Sequence, residues 1–156
     1  QAQRDKMRQN DIIVPLSEKC DQREFLAHSA IEATQKINVA GIITDSETGL
    51  TARILASFRG SNPVLAICYK EKTQRWLNLS YGVIPVHQKE KGLVSAQYVF
   101  YAALRMLRQK GYISLDDKIA YLSGSFGEGG GTTFLEINNV KDVFDKKYKF
   151  HLPNFE

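Results

Sequence analysis

The run Val39-Ala-Gly-Ile-Ile43, followed at once by Thr44-Asp-Ser-Glu-Thr-Gly-Leu-Thr51, decides how this chain folds. Its apolar first part has the pattern of a buried β-strand, and residues from about 50 to 58 have the spacing of an amphipathic helix, so the intervening turn passes from strand to helix. A glycine at 49 lets the backbone approach a ligand closely. Hydroxyls on Ser46, Thr48 and Thr51 and the free N–H groups of the helix start near Leu50 converge on one point, an arrangement that cradles a phosphate or another anion. From composition alone the competing reading is a helix capped by Ser46 or Thr48 with nothing bound.

Working outward, Leu26, Ala30, Ala33 and Ile37 lie at helical spacing on a segment from Glu24 to Ile37. Asp21 and Glu24 form a capping box at its start in all but the usual residue type at the cap. A second apolar run covers 63–69, a short helix with Trp76 and Leu77 covers about 71–79, and a further strand runs from Gly82 to His87. Ser95 opens a long helix bearing Val99, Ala102, Ala103, Met106 and Leu107 and ending at Gly111. The last strands, Lys118 to Ser123 and Thr132 to Val140, flank a glycine-rich connection. Alternating strands and helices predict a three-layer α/β/α fold around a five-stranded, mostly parallel sheet. The final connection contains no helix, so the last strand is expected to be antiparallel to its predecessor.

At 156 residues the chain fits one domain, and its 43% hydrophobic and 24% charged residues fit neither disorder nor a membrane span. The net charge of +4 is scattered along the chain without interleaved aromatics, which argues for a solvated basic surface and against nucleic acid as a partner. Cys68 sits in an apolar run as a small hydrophobe, Cys20 sits in polar sequence, and the pair fits a reducing cytoplasm. The amino-terminal Gln-Ala-Gln-Arg-Asp-Lys-Met-Arg lacks the apolar part of a signal peptide and an initiator methionine, and it reads as the cut edge of a longer polypeptide.

In doubly wound sheets, ligands bind where the connections diverge at the carboxyl ends of the strands. Both the 44–51 turn and the loop Ser123-Gly-Ser-Phe-Gly-Glu-Gly-Gly-Gly-Thr132 begin at such an end, so both are expected to line one site; the bland alternative for the second is a hairpin loop without a ligand. That loop is no P-loop, because no Gly-Lys-Ser/Thr follows it and a strand, not a helix, comes next. Ser123-Gly-Ser125-Phe-Gly127 has serine where a nucleophile elbow needs its first glycine. His28, His87 and His151 have no metal-ligand spacing, and Asp116-Asp117 reads as a turn pair. No nucleophile or general base stands out.

Several stretches in register resemble one family. They are Ala30 to Lys36 leading into Thr44; Thr48-Gly-Leu-Thr-Ala-Arg53 with Phe58-Arg59; Pro63-Val-Leu-Ala-Ile67; Gly82-Val-Ile-Pro85; and Ser123-Gly124 with Gly131-Thr132. Together, over residues 24 to 140, they resemble the carboxy-terminal domain of pyruvate kinase. The resemblance implies an effector-binding and subunit-contact domain of a cytoplasmic homotetramer. Residues 1–20 would then link to an absent catalytic barrel, 21–140 form the domain, and 141–156 form an extension. By position, Ser46, Thr48, Gly49 and Thr51 would hold the phosphate of a sugar phosphate or other phosphorylated effector, with Gly130 and Gly131 closing over it. The family's phosphoenolpyruvate, ADP, magnesium and potassium ligands belong to the barrel, so this fragment is expected to carry no cofactor, metal or catalytic residue. Glu47 departs from relatives that carry a hydroxyl there, and its carboxylate opposes an anion unless it points away. A purely structural oligomerisation domain and a free-standing phosphometabolite-binding module are the alternative readings.

Overall fold

The computed structural model describes residues 13–88, 96–124 and 131–145, without the side chains of Ser46 and residues 96–99. Element order is α1 (Gln22–Lys36), β1 (Val39–Ser46), α2 (Leu50–Ser57), β2 (Val64–Cys68), α3 (Glu71–Leu77), β3 (Val83–His87), α4 (Ala96–Gln109), β4 (Lys118–Ser123), β5 (Phe134–Asn139) and α5 (Val140–Asp145). The strands form one sheet in the order β3-β2-β1-β4-β5. β1 pairs in parallel with β2 and β4, and β2 pairs in parallel with β3. β5 lies antiparallel on β4 at the edge, with Leu122 opposite Leu135 and Ser123 opposite Phe134. The mixed sheet with an antiparallel last strand therefore has the predicted arrangement.

Period-two alternation splits the apolar residues between two cores. Ile43, Leu65, Ile67, Ile119 and Tyr121 face α4 and α5 on one side of the sheet, against Phe100, Leu104 and Leu107. Ile42, Val64, Ala120 and Leu122 face α1 and α2 on the other, against Ala27, Ile31 and Leu55. A smaller cluster of Ala52, Ala66, Cys68 and Leu77 seats α3 beside α2. Adjacent residues of one strand thus enter different cores, as a sheet covered on both faces requires.

Asp21 and Glu24 form a complete capping box: the Glu24 N–H donates to the Asp21 carboxylate at 2.8 Å, and the Asp21 N–H donates to that of Glu24 at 3.1 Å. The buried stripe of α1 is Ala27, Ala30, Ile31 and Thr34, with Ala33 beside it, whereas Ile37 terminates the helix and is exposed. Small side chains bring the helix close to the sheet, and Thr34 is accommodated because its hydroxyl donates to the Ile31 carbonyl at 2.6 Å. The stripe of α4 is centred on Phe100 and Leu104 as well as the expected Ala103 and Leu107. Ser95, the expected start of that helix, lies outside the described residues, as does the side chain of Val99. Past the edge strand the chain continues into α5, where Val140 is fully buried and Val143 and Phe144 pack on the α4 core. Residues 141–145 of the expected extension therefore lie in a helix against the domain, while residues 1–12 and 146–156 lie outside the described residues.

Candidate functional site

The strand β1 runs through Asp45 and Ser46, so Ser46 closes the strand and the turn proper is Glu47 to Gly49. Gly49 caps α2 in the left-handed region, at φ +83°, and a Cβ there would lie 3.2 Å from Leu77 Cδ2. Two separate constraints therefore call for glycine, the sign of φ and contact with α3. From α3 the Thr73 hydroxyl donates to the Glu47 carbonyl at 2.8 Å and pins the turn from below. Thr48 is exposed above it; its hydroxyl accepts a long bond from the Leu50 N–H at 3.4 Å. The first helical bond runs from the Arg53 N–H to the Gly49 carbonyl, and the amides of the first turn have no acceptor within the helix.

Thr51 faces the other way. It is buried, and its hydroxyl lies 3.0 Å from that of Thr132, 81 positions away. Two hydroxyls that share one bond still hold one O–H to donate elsewhere. Thr132 is further fixed because its carbonyl accepts from Gln22 Nε2 at 3.1 Å, at the start of α1. Next to it, Gly131 lies so close to Arg23 that a Cβ there would meet the guanidinium at 2.8 Å. The Arg23 Nε is buried with no hydrogen-bond partner among the described residues. The tertiary fold thus brings Thr51 to Gly131-Thr132 and leaves Thr48 on the side of α3. Gly130 and the side chain of Ser46 lie outside the described residues.

Below the turn, at the ends of β1 and β4, the Ser123 hydroxyl donates to the Asp45 carboxylate at 2.5 Å. Two phenols adjoin the same carboxylate. Burial first, and the Asp45 charge second, push the Tyr69 phenol far above its usual range and Tyr121 up to about 12. Both phenols stay neutral at physiological pH. Ser123 and Thr132 bracket the glycine-rich connection, and the Thr133 N–H donates to the Ser123 carbonyl at 2.9 Å. Both ends of that connection are therefore tied to the strand and helix that hold the 44–51 turn.

Arg23 and Gln22 escaped the sequence reading, although a signal existed. A helix joined to the start of β1 by a two-residue link must begin at the opposite, carboxyl end of the strands, so its first turn belongs beside the site. Asp117, expected in a turn pair, accepts from the Ser114 N–H at 2.8 Å. His28 lies against Phe58 and beside Glu32 on α1, and His87 ends β3. Among the described residues no group of three or more His, Cys, Asp or Glu side chains is placed to hold a metal ion, and no helix is long and apolar enough to cross a membrane.

Residues 24–138 match the family model described as pyruvate kinase, alpha/beta domain. The pyruvate kinase of Borreliella burgdorferi is 34% identical over 128 residues, which are 81% of this chain and 27% of that protein. The Lactobacillus delbrueckii enzyme is 27% identical over 118 residues, 75% of this chain and 20% of its own length. A solved structure of Cryptosporidium parvum pyruvate kinase in complex with ADP superposes with a TM-score of 0.72 at 25% identity, over 80% of this chain and 25% of that one. The chain thus spans about a quarter of the length of these relatives. With the sheet order, the antiparallel edge strand and the matched residues in agreement, the chain belongs to the family of pyruvate kinase alpha/beta domains.

Proposed function

We propose that this chain is the regulatory and oligomerisation domain of a pyruvate kinase, a glycolytic phosphotransferase acting on phosphoenolpyruvate and ADP, and that a phosphorylated effector docks on the turn between β1 and α2. The observation that carries this reading is the glycine-capped turn itself. Gly49, held at positive φ against Leu77, keeps Thr48 and the first amides of α2 at the carboxyl end of a central parallel strand. Helix-start amides there attract anions. Exposed Val14, Phe25, Leu79, Tyr81 and Ile137 support docking onto further polypeptide, the catalytic barrel or other copies of the chain.

The structural reading has one observation in its favour, the Thr51–Thr132 bond, which orders the site without a ligand. Calorimetric titration with inorganic phosphate and a sugar phosphate separates the two. Thr48→Ala removes one exposed neutral donor and is expected to weaken binding about three- to tenfold without loss of folding. Glu47→Thr is expected to strengthen it, more at low salt than at high salt. Affinities unchanged in both variants would leave the purely structural domain as the reading.

A further inference from the structure

Between α4 and α5 lies an open cleft of about 620 Å³, within the range of small-molecule sites. Its walls carry Tyr101, Arg105 and Arg108 from α4 and Lys141, Phe144 and Asp145 from α5. α5 follows β5, whose last residue, Asn139, stands opposite Lys118 at the start of β4, so the cleft opens toward the end of the sheet away from the β1–α2 turn. The α5 wall is tied down. The Val140 N–H donates to the Asp117 carbonyl at 2.9 Å, the Lys141 N–H donates to the Leu115 carbonyl at 3.2 Å, and Val140 is fully buried. That wall lies past residue 138, where the match to the pyruvate kinase alpha/beta domain stops.

The charge of the cleft is one-sided. Arg105, Arg108 and Lys141 stand against Asp145, and among the described residues none of these three cationic side chains makes an ion pair or hydrogen bond. Lys141 and Asp145 are four residues apart on α5, the spacing of a helical ion pair, yet they do not form one. Unneutralised cations gathered in a concave surface raise the local potential for an anion.

A second, independent observation is geometric. The Arg108 guanidinium sits 5.4 Å from the Phe144 ring centre, and the same ring meets Tyr101 edge to face at 5.4 Å. Phe144 is half-buried against the α4 core, so its ring is a fixed plate. A guanidinium laid on such a plate has less freedom to lose on binding and keeps its N–H edge open. That edge matches the paired oxygens of a carboxylate or phosphate.

We infer that the α4–α5 cleft is an anion site, separate from the β1–α2 turn, for a small molecule with two or more negative charges on phosphate or carboxylate groups. Arg108 is the oriented fork, and Arg105 and Lys141 supply the further charge. A dianion balances the lining, because three cations face one acid there. The inference does not rest on the effector reading of the turn.

The test titrates the chain with inorganic pyrophosphate, citrate and acetate, using calorimetry and the Nε–Hε signals of the arginine side chains in isotope-labelled protein. Pyrophosphate and citrate should shift the Arg108 signal, bind about tenfold more tightly than acetate and weaken as salt rises. Whichever of the two binds more tightly identifies phosphate or polycarboxylate as the source of the charge. Arg108→Gln with Lys141→Gln should lower the affinity read from the Arg105 signal by about tenfold or more, with circular dichroism unchanged. Phe144→Leu keeps an apolar side chain but removes the plate, and should weaken both probes about two- to fivefold. An Arg53 signal that shifts while Arg108 stays still, or affinities unchanged in the double variant, would overturn the cleft site and leave the effector reading as it stood.

Discussion

Replacing Gly49 by alanine tests the geometry of the turn, because two costs there can be separated with a second glycine. Gly82 also has positive φ, at +72°, but a Cβ added to it would meet nothing within 4 Å. At Gly82, alanine pays about 1–2 kcal/mol for the left-handed conformation. The lost freedom of the unfolded chain offsets about 0.4–1 kcal/mol of that. The net destabilisation of Gly82→Ala is therefore about 0–1.6 kcal/mol. Gly49→Ala carries the same cost, and its Cβ would also press on Leu77 at 3.2 and 3.3 Å and on Thr73 Cγ2 at 3.4 Å. Leu77 is fully buried and can yield little. Overpacking of that kind adds about 1–3 kcal/mol, for a total of about 1–4.6 kcal/mol. Urea unfolding followed by circular dichroism and by Trp76 fluorescence measures both variants, and each kcal/mol should lower Tm by about 2–4 °C. Equal losses at the two positions would refute the packing argument, and no loss at either would refute the left-handed turn.

Two further outcomes follow from buried groups. Thr51→Val should destabilise by about 1–2 kcal/mol by leaving the buried Thr132 hydroxyl unpaired, and the double variant with Thr132→Val should recover most of it, as a double-mutant cycle in urea would read. Burial pushes the Cys68 thiol from 9.0 up to about 11, so the unfolded chain releases this proton first as pH rises. Stability is then level below about pH 9 and falls between about pH 9 and 11, with Tyr121 extending the fall toward 12; a Cys68→Ala variant should show a shallower decline in that window, and an identical profile would contradict the assignment.

Much of the fold was legible because local pattern and tertiary demand agree along most of the chain. The capping box at Asp21 and Glu24, the strand at Lys118 to Ser123 and the antiparallel last strand need only near neighbours and connection length to be read. Errors fell where burial is set by partners instead of by side-chain size. Ile37 is apolar but sits at the end of its helix, while Thr34 and the alanines of α1 are buried because close helix–sheet approach favours small residues. Just past α2, Arg59 takes the left-handed position at φ 58°, a place that glycine usually fills. Gly60 is required instead because Ile31 would lie 2.9 Å from its Cβ.

For the site, the sequence alone determined that a hydroxyl-rich, glycine-bearing turn joins a buried strand to a helix, since strand, turn and helix are contiguous and each is set by residues a few positions apart. Which hydroxyl faces where was decided only by the folded chain. Thr48 and Thr51 are three residues apart, yet one opens toward the cations of α3 while the other closes on Thr132. The placement of Arg23 beside Gly131 and of Lys72, Arg75 and Trp76 beside Thr48 depends on how helices cross the sheet. No local spacing encodes that, because the charges and the ring come together only once hydrophobic burial has seated α1 and α3 against the strands.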